Sequence, residues 1–151
     1  MWRIMVAGLA AMMAAPVAAL GVGPATPVPL AVDGLARQTL AWMDHGKART
    51  CEGVWLRDVL AKAGAPAGEA LRGDALRMMV LVEAADGYRV VFSLGELDAK
   101  LGNAQLLLAD ACDGTPLDEA DGPHRLVAAG EARGARSVRQ VTRILLVPLT
   151  D

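Results

Sequence analysis

Gly122-Pro-His-Arg-Leu-Val-Ala-Ala-Gly-Glu-Ala-Arg-Gly-Ala-Arg-Ser-Val-Arg-Gln-Val-Thr-Arg-Ile-Leu-Leu-Val147 is the stretch from which the rest of the chain is best read. Two apolar runs, Leu126–Ala129 and Val141–Val147, bracket a loop with Gly130, Gly134 and three arginines. The β-branched residues of the second run and the glycines between them predict strand, glycine-rich connection, strand. Arg133, Arg136 and Arg139 are spaced three apart, beside the small residues Ala135 and Ser137. Guanidinium forks next to accessible backbone N–H groups can cradle a phosphate. A solvated arginine loop with no ligand satisfies the same spacing. Spacing alone leaves both readings open.

Upstream, local signals divide the chain into short elements. Val28–Val32 is expected as the first strand, closed by Asp33-Gly34. Thr39–Met43 and Ala48–Cys51 flank Asp44-His45-Gly46-Lys47, which predicts a hairpin with Gly46 at positive φ. His45 at that tip is expected as a turn residue, since no second ligand lies at metal spacing. Val54, Leu56, Val59, Leu60 and Ala63 form an apolar stripe over Gly53–Gly64, and Gly64 and Pro66 stop that helix. A short helix around Gly68–Ala75 leads to a strand, Met78–Ala84, then an Asp86-Gly87 turn and a strand, Tyr88–Phe92. Ser93-Leu-Gly-Glu96 carries a capping box. Leu106–Ala109 is expected as a strand and Asp113-Gly114 as a turn. Strands and short helices alternate irregularly, without regular crossover helices, so the fold class is α+β: a single strand-rich mixed domain.

Several of these segments together resemble one family. Gly134-Ala-Arg-Ser-Val-Arg139, after Gly122-Pro-His-Arg-Leu-Val127, resembles the C-terminal signature of sulfite-oxidase-type molybdopterin-binding domains. Thr50-Cys-Glu-Gly-Val-Trp-Leu-Arg-Asp-Val-Leu60 is similar to that family's Thr-Tyr-x-Gly-Val-Pro-Leu-x-Asp-Leu-Leu. The run from Val80 to Asp98, with the Leu106–Leu117 segment, resembles small exported members. The likeness covers about Thr39 to Val147 and implies the family's fold. It also implies that Arg136, Ser137 and Arg139, with Arg125 nearby, are candidate contacts for the phosphate end of a pterin.

The same comparison exposes departures. The family's metal-binding cysteine lies upstream of the Gly-Val-x-Leu helix, where a soft thiolate suits molybdenum. Here Cys51 is the only upstream cysteine after the leader, and it stands at the family's aromatic position. No metal ligand or catalytic residue is carried over. The family's Val-Pro-Gly-Asp appears as Ala128-Ala129-Gly130-Glu131, so a rigid proline is missing at the loop mouth.

Composition sets the compartment and excludes some classes of partner. With 151 residues, 54% of them hydrophobic, and a net charge of −2, the chain suits one globular domain and no bulk nucleic-acid binding. Arg3, the apolar run Ile4–Ala15 and Val17-Ala18-Ala19 predict a signal peptide over residues 1–19, cleaved after Ala19. Residues 20–27 follow as an extended leader, and 28–151 as the domain. The apolar run is short for a membrane span, so no stable span is expected after cleavage, although an uncleaved anchor is the alternative. The mature chain is expected in the periplasm or secreted. Arg3 stands alone and not in a twin-arginine pair, which suits export of an unfolded and therefore empty chain.

In an exported chain, Cys51 and Cys112 are the candidates for one disulfide; two buried thiols or a redox pair are the other readings. Asp110, Asp113, Asp118, Glu119 and Asp121 miss the calcium-loop register and are expected as a solvated acidic loop. His124 is expected as an exposed strand-end residue. The sequence reading favours a non-catalytic binding or accessory module with no cofactor, its partner a periplasmic protein or small anionic ligand docking near Arg125, Arg136 and Arg139. The alternative is an oxidoreductase that holds molybdopterin through Arg136, Ser137 and Arg139.

Overall fold

A computed structural model describes residues 21–151; the expected signal peptide lies outside the described residues. The 45–46 turn is a clear instance of local sequence fixing local structure. His45 (φ 50°) and Gly46 (φ 82°) both take left-handed backbone and join β3 (Gln38–Asp44) to β4 (Lys47–Trp55). Two positive φ values match the twist of the flanking strands, which ordinary turns would splay apart. His45 is thus a turn residue, as expected.

The described residues begin with two short strands, β1 (Gly21–Val22) and β2 (Thr26–Val28). After β4 come helix α1 (Leu56–Lys62) and two 3-10 turns, Gly68–Ala70 and Gly73–Arg77. Next are β5 (Met78–Ala84), β6 (Arg89–Ser93) and the single-turn helix α2 (Leu94–Leu97). The last part holds β7 (Leu106–Cys112), β8 (Thr115–Pro116), β9 (Arg125–Ala128) and β10 (Val141–Thr150).

All pairings are antiparallel and fall into two sheets. In the first, β10 lies between β5, backed by β6, and the short strands β1 and β2. In the second, the order is β3-β4-β7, with β8 and β9 both on the far side of β7. Val80, Val82, Phe92, Ile144 and Leu146 of the first sheet share one core with Val54, Leu108 and Leu126 of the second. Leu56, Val59 and Leu60 of α1 belong to the same core.

A smaller apolar cluster, Trp42, Cys51, Leu107, Ala109, Cys112 and Val127, occupies the opposite face of the second sheet. This accounts for the unbroken apolar runs in β7 and β9. Leu106 and Leu108 point to the large core while Leu107 and Ala109 point to the small one. A strand buried on both faces reads as continuous rather than alternating.

Four expectations shift. The first strand is Thr26–Val28 and not Val28–Val32: Thr26, Pro27 and Val28 sit opposite Leu146, Leu145 and Ile144, and Pro29 follows. The stretch read as a leader is therefore paired to β10. The helix starts at Leu56 and not at Gly53, because Gly53–Trp55 continue β4 opposite Ala109–Leu107. A Cβ on Gly53 would lie 2.1 Å from the Leu108 carbonyl oxygen, so this glycine serves a close strand approach beside a bulge. The helix expected at Gly68–Ala75 is two 3-10 turns instead. The Ser93–Glu96 capping box forms in both directions.

Candidate functional site

The β3–β4 hairpin delivers Asp44 to the mouth of the second sheet, and β9 starts there with Arg125. Arg125 is 5% exposed. Its Nη2 donates to Asp44 Oδ2 at 3.0 Å and its Nη1 to Asp121 Oδ2 at 2.8 Å. The guanidinium lies over the Trp42 ring, 4.9 Å from the centroid. Arg49 extends the cluster, reaching Asp44 at 3.5 Å, Asp121 at 3.4 Å and Asp113 at 3.1 Å. Asp113 also accepts the Thr50 N–H at 2.9 Å. That backbone bond, then Arg49, holds the Asp113 carboxyl below its ordinary value. A charge taken out of water needs such partners.

The acidic segment is therefore not simply solvated, contrary to expectation. Asp113 and Asp121 are counter-ions of this cluster, and Asp110 forms a fork with Arg37 at 2.5 and 2.7 Å. That pairing, ahead of burial, leaves the Asp110 carboxyl below its ordinary value. His124 is half-buried, not exposed, and its Nδ1 has no hydrogen-bond partner among the described residues.

The Gly134–Arg139 stretch is folded tightly. Gly134–Arg136 make a 3-10 turn, and Val138 then bonds Leu126 through both backbone groups at 2.8 and 2.9 Å. The Ser137 hydroxyl accepts the Ala128 N–H at 3.1 Å. Arg136 donates from Nε to Glu131 at 2.9 Å and from Nη1 to Glu96 at 2.9 Å, and lies 4.5 Å from the Phe92 ring centroid. Glu96 also accepts the Ser93 N–H at 2.9 Å, so the arginine loop is tied to the cap of α2. Tyr88 secures the loop from the first sheet by donating to the Ala135 carbonyl.

Arg139 differs from both. It is exposed and has no ion pair among the described residues. It lines a cleft of about 490 Å³ together with Asp44, Asp86, Tyr88, Arg125 and Ser137. All four candidate residues thus meet around one cleft or its wall: Arg125, Ser137 and Arg139 line it, and Arg136 stands behind the loop. No spacing rule reveals Asp44 and Glu96, because Asp44 is 81 positions from Arg125 and Glu96 is 40 from Arg136; Asp121 and Glu131 lie only four and five positions from their arginines.

Cys51 and Cys112 form a disulfide, and the chain has no free cysteine. The two residues are direct partners in the β4–β7 register, with Cα atoms 4.0 Å apart. They are 0% and 4% exposed. The chain in this state offers no thiolate. Among the described residues no group of three or more His, Cys, Asp or Glu side chains is placed to hold a metal ion.

The oxidoreductase molybdopterin-binding domain family matches residues 31–149. The chain belongs to that family. No curated protein matches it. Domains of this family bind molybdopterin. Set against such a ligand, this member has its two cysteine sulfurs joined to each other. Its Arg125 and Arg136 already face two carboxylates each. No described helix is long and apolar enough to cross a membrane.

Proposed function

We propose that this chain is an exported member of the molybdopterin-binding family that works as a non-catalytic binding or accessory module, without a molybdenum centre. The observation that carries the reading is the Cys51–Cys112 disulfide. Molybdenum in this family calls for a soft thiolate, and a disulfide sulfur has no such lone-pair basicity. The donors that remain do not fit the pterin's phosphate end either, because Arg125 and Arg136 are neutralised within the fold. Arg139 keeps an uncommitted guanidinium at the cleft, and there a small anion or an acidic group of a periplasmic partner docks.

Export has two supports. The Met1–Ala19 segment has the layout of a signal peptide with a lone Arg3. A buried disulfide also persists in an oxidising compartment. A second reading, a molybdopterin-dependent oxidoreductase, draws on Arg139 and the adjoining 490 Å³ cleft, which leave room for a ligand.

Elemental and pterin analysis of the mature protein, purified from the periplasm of the organism that makes it, separates the two readings. The module reading expects molybdenum far below one atom per chain and no fluorescent pterin oxidation product. Stoichiometric molybdenum with pterin would establish the oxidoreductase.

A further inference from the structure

The strands that end each sheet are guarded unequally. In the first sheet β1 and β2 are only two and three residues long, with Pro27 in β2, and β6 is five residues long and opens on Arg89. In the second, β8 is two residues long and contains Pro116, and β9 is bridged to Val138 through Leu126. Short length, proline, charge and a covering segment all keep a sheet edge from pairing with a foreign chain. β3 has none of these among the described residues. Its seven residues pair with β4 without a register shift, and Gln38–Met43 contain neither proline nor charge. No other described strand pairs with β3, so the backbone N–H and C=O groups on its outer side are unspent.

A groove runs along this edge. Trp42 and Met43 line a hollow of about 410 Å³ together with Ala128, Ala129 and Ala132. Neighbouring strand residues point to opposite faces, so a hollow touched by both lies at an edge of the strand and not on a face. The edge towards β4 is filled, with Trp42 opposite Arg49 and Met43 opposite Ala48, which leaves the outer one. A second hollow, about 600 Å³, continues past Met43 and His45 to Arg133 and Ala135. Glu131 lines both hollows but is held by Arg136. Three chemistries thus lie side by side. There are unspent backbone groups, an apolar stretch in which Met43 is 61% exposed, and Arg133, exposed and without an ion pair among the described residues.

We infer that the free edge of β3 is a strand-addition site for an extended segment of a partner protein, seated with an apolar side chain at Trp42 and Met43 and an acidic one at Arg133. An extended peptide supplies N–H and C=O groups at strand spacing, and its alternate side chains read the pockets beside the edge. A second copy of this chain fits less well. Antiparallel pairing of two β3 strands about Ala41 sets Gln38 opposite Asp44 and Arg37 opposite His45, so a cation and not an acid arrives at the arginine end. This names the class of partner for the proposed module and rests on that reading. The two fail separately, because molybdenum content reports the module and peptide capture reports the edge.

The test is a selection of displayed random octapeptides on the purified protein, followed by calorimetry with the most enriched peptide made synthetically. Enriched peptides should combine an apolar residue with Asp or Glu. Ala41→Lys places a charge at an exposed position of the edge and should weaken that peptide about tenfold. Arg133→Ala should weaken it about fivefold, the scale of one exposed ion pair. A repeat selection on Arg133→Glu should replace the acidic preference by a basic one. The inference is overturned if no peptide is enriched, if Ala41→Lys leaves binding unchanged, or if Arg133→Glu still selects acidic peptides. Sedimentation of the protein alone reads the rival occupant: a dimer that Ala41→Lys dissociates would assign the edge to a second copy and overturn the inference too. Thermal melting confirms that each variant is folded, and Thr39→Lys, at another exposed position of β3, replaces Ala41→Lys if that variant is unstable.

Discussion

Arg125 and Arg136 come from one continuous stretch and each meets two carboxylates, but they do so in different surroundings. The Arg125 side chain is 6% exposed and sits on Trp42 inside a cluster with Asp44, Asp121 and Arg49. The Arg136 side chain is 41% exposed and sits at the protein's edge. Water screens the second set and barely reaches the first. Identical chemistry therefore has different consequences. The buried cluster ties the hairpin, the acidic segment and β9 into one structure, while the outer pairs fasten the arginine loop to Glu131 and to the cap of α2.

The largest effect expected from this contrast is at Arg125. Arg125→Ala leaves Asp44 and Asp121 short of a partner in a buried setting and removes the stacking on Trp42. It should lower unfolding free energy by about 3–5 kcal/mol in chemical denaturation. A loss below about 1 kcal/mol would erase the distinction between the two regions, since that is the range of exposed pairs.

Acid should act next. Asp98, Asp110 and Asp113 all have folded pKa values below the ordinary 3.8. Asp98 owes this first to the Gly68 N–H, Asp110 to Arg37, and Asp113 to the Thr50 N–H. The unfolded chain takes up protons at a higher pH than these native carboxylates do. Their contribution is complete above the ordinary carboxylate range and is lost as pH falls from about 4 through the lower folded values. Melting temperature should therefore decline below about pH 4, and Asp113→Asn should flatten part of that decline. An unchanged profile in that variant would remove Asp113 from the account.

The smallest effect is expected at the outer pair. Arg136→Ala should cost about 1 kcal/mol or less, because its ion pairs are half-exposed. Arg139→Ala should alter stability by no more than about 0.5 kcal/mol. A destabilisation at Arg136 that approached that of Arg125→Ala would erase the contrast between the buried and the outer pairs.

Sequence alone revealed what neighbouring residues decide. The His45-Gly46 turn, the Met78–Ala84 strand and the Ser93–Glu96 capping box all depend on contacts within a few positions. The order of motifs identified the family, and of the four residues it singled out, Arg125, Ser137 and Arg139 line one cleft while Arg136 stands behind the loop. Less legible was anything settled by distant pairing. Gly53 looked like the start of a helix because its true constraint, the Leu108 backbone, lies 55 positions away. The acidic segment looked solvated because its cationic partners, Arg37 and Arg49, come from β3 and β4 or just before them. The cysteine pair was one of three readings until the β4–β7 register placed the two residues opposite each other.

The claim on which the account turns is that both sulfurs are tied to each other and cannot serve a metal. Thiol titration of the protein, purified without reductant and denatured under alkylating conditions, tests it directly. The account predicts no free thiol before reduction and two per chain after it. Two titratable thiols in the unreduced protein would contradict it and return Cys51 and Cys112 to the pool of available ligands.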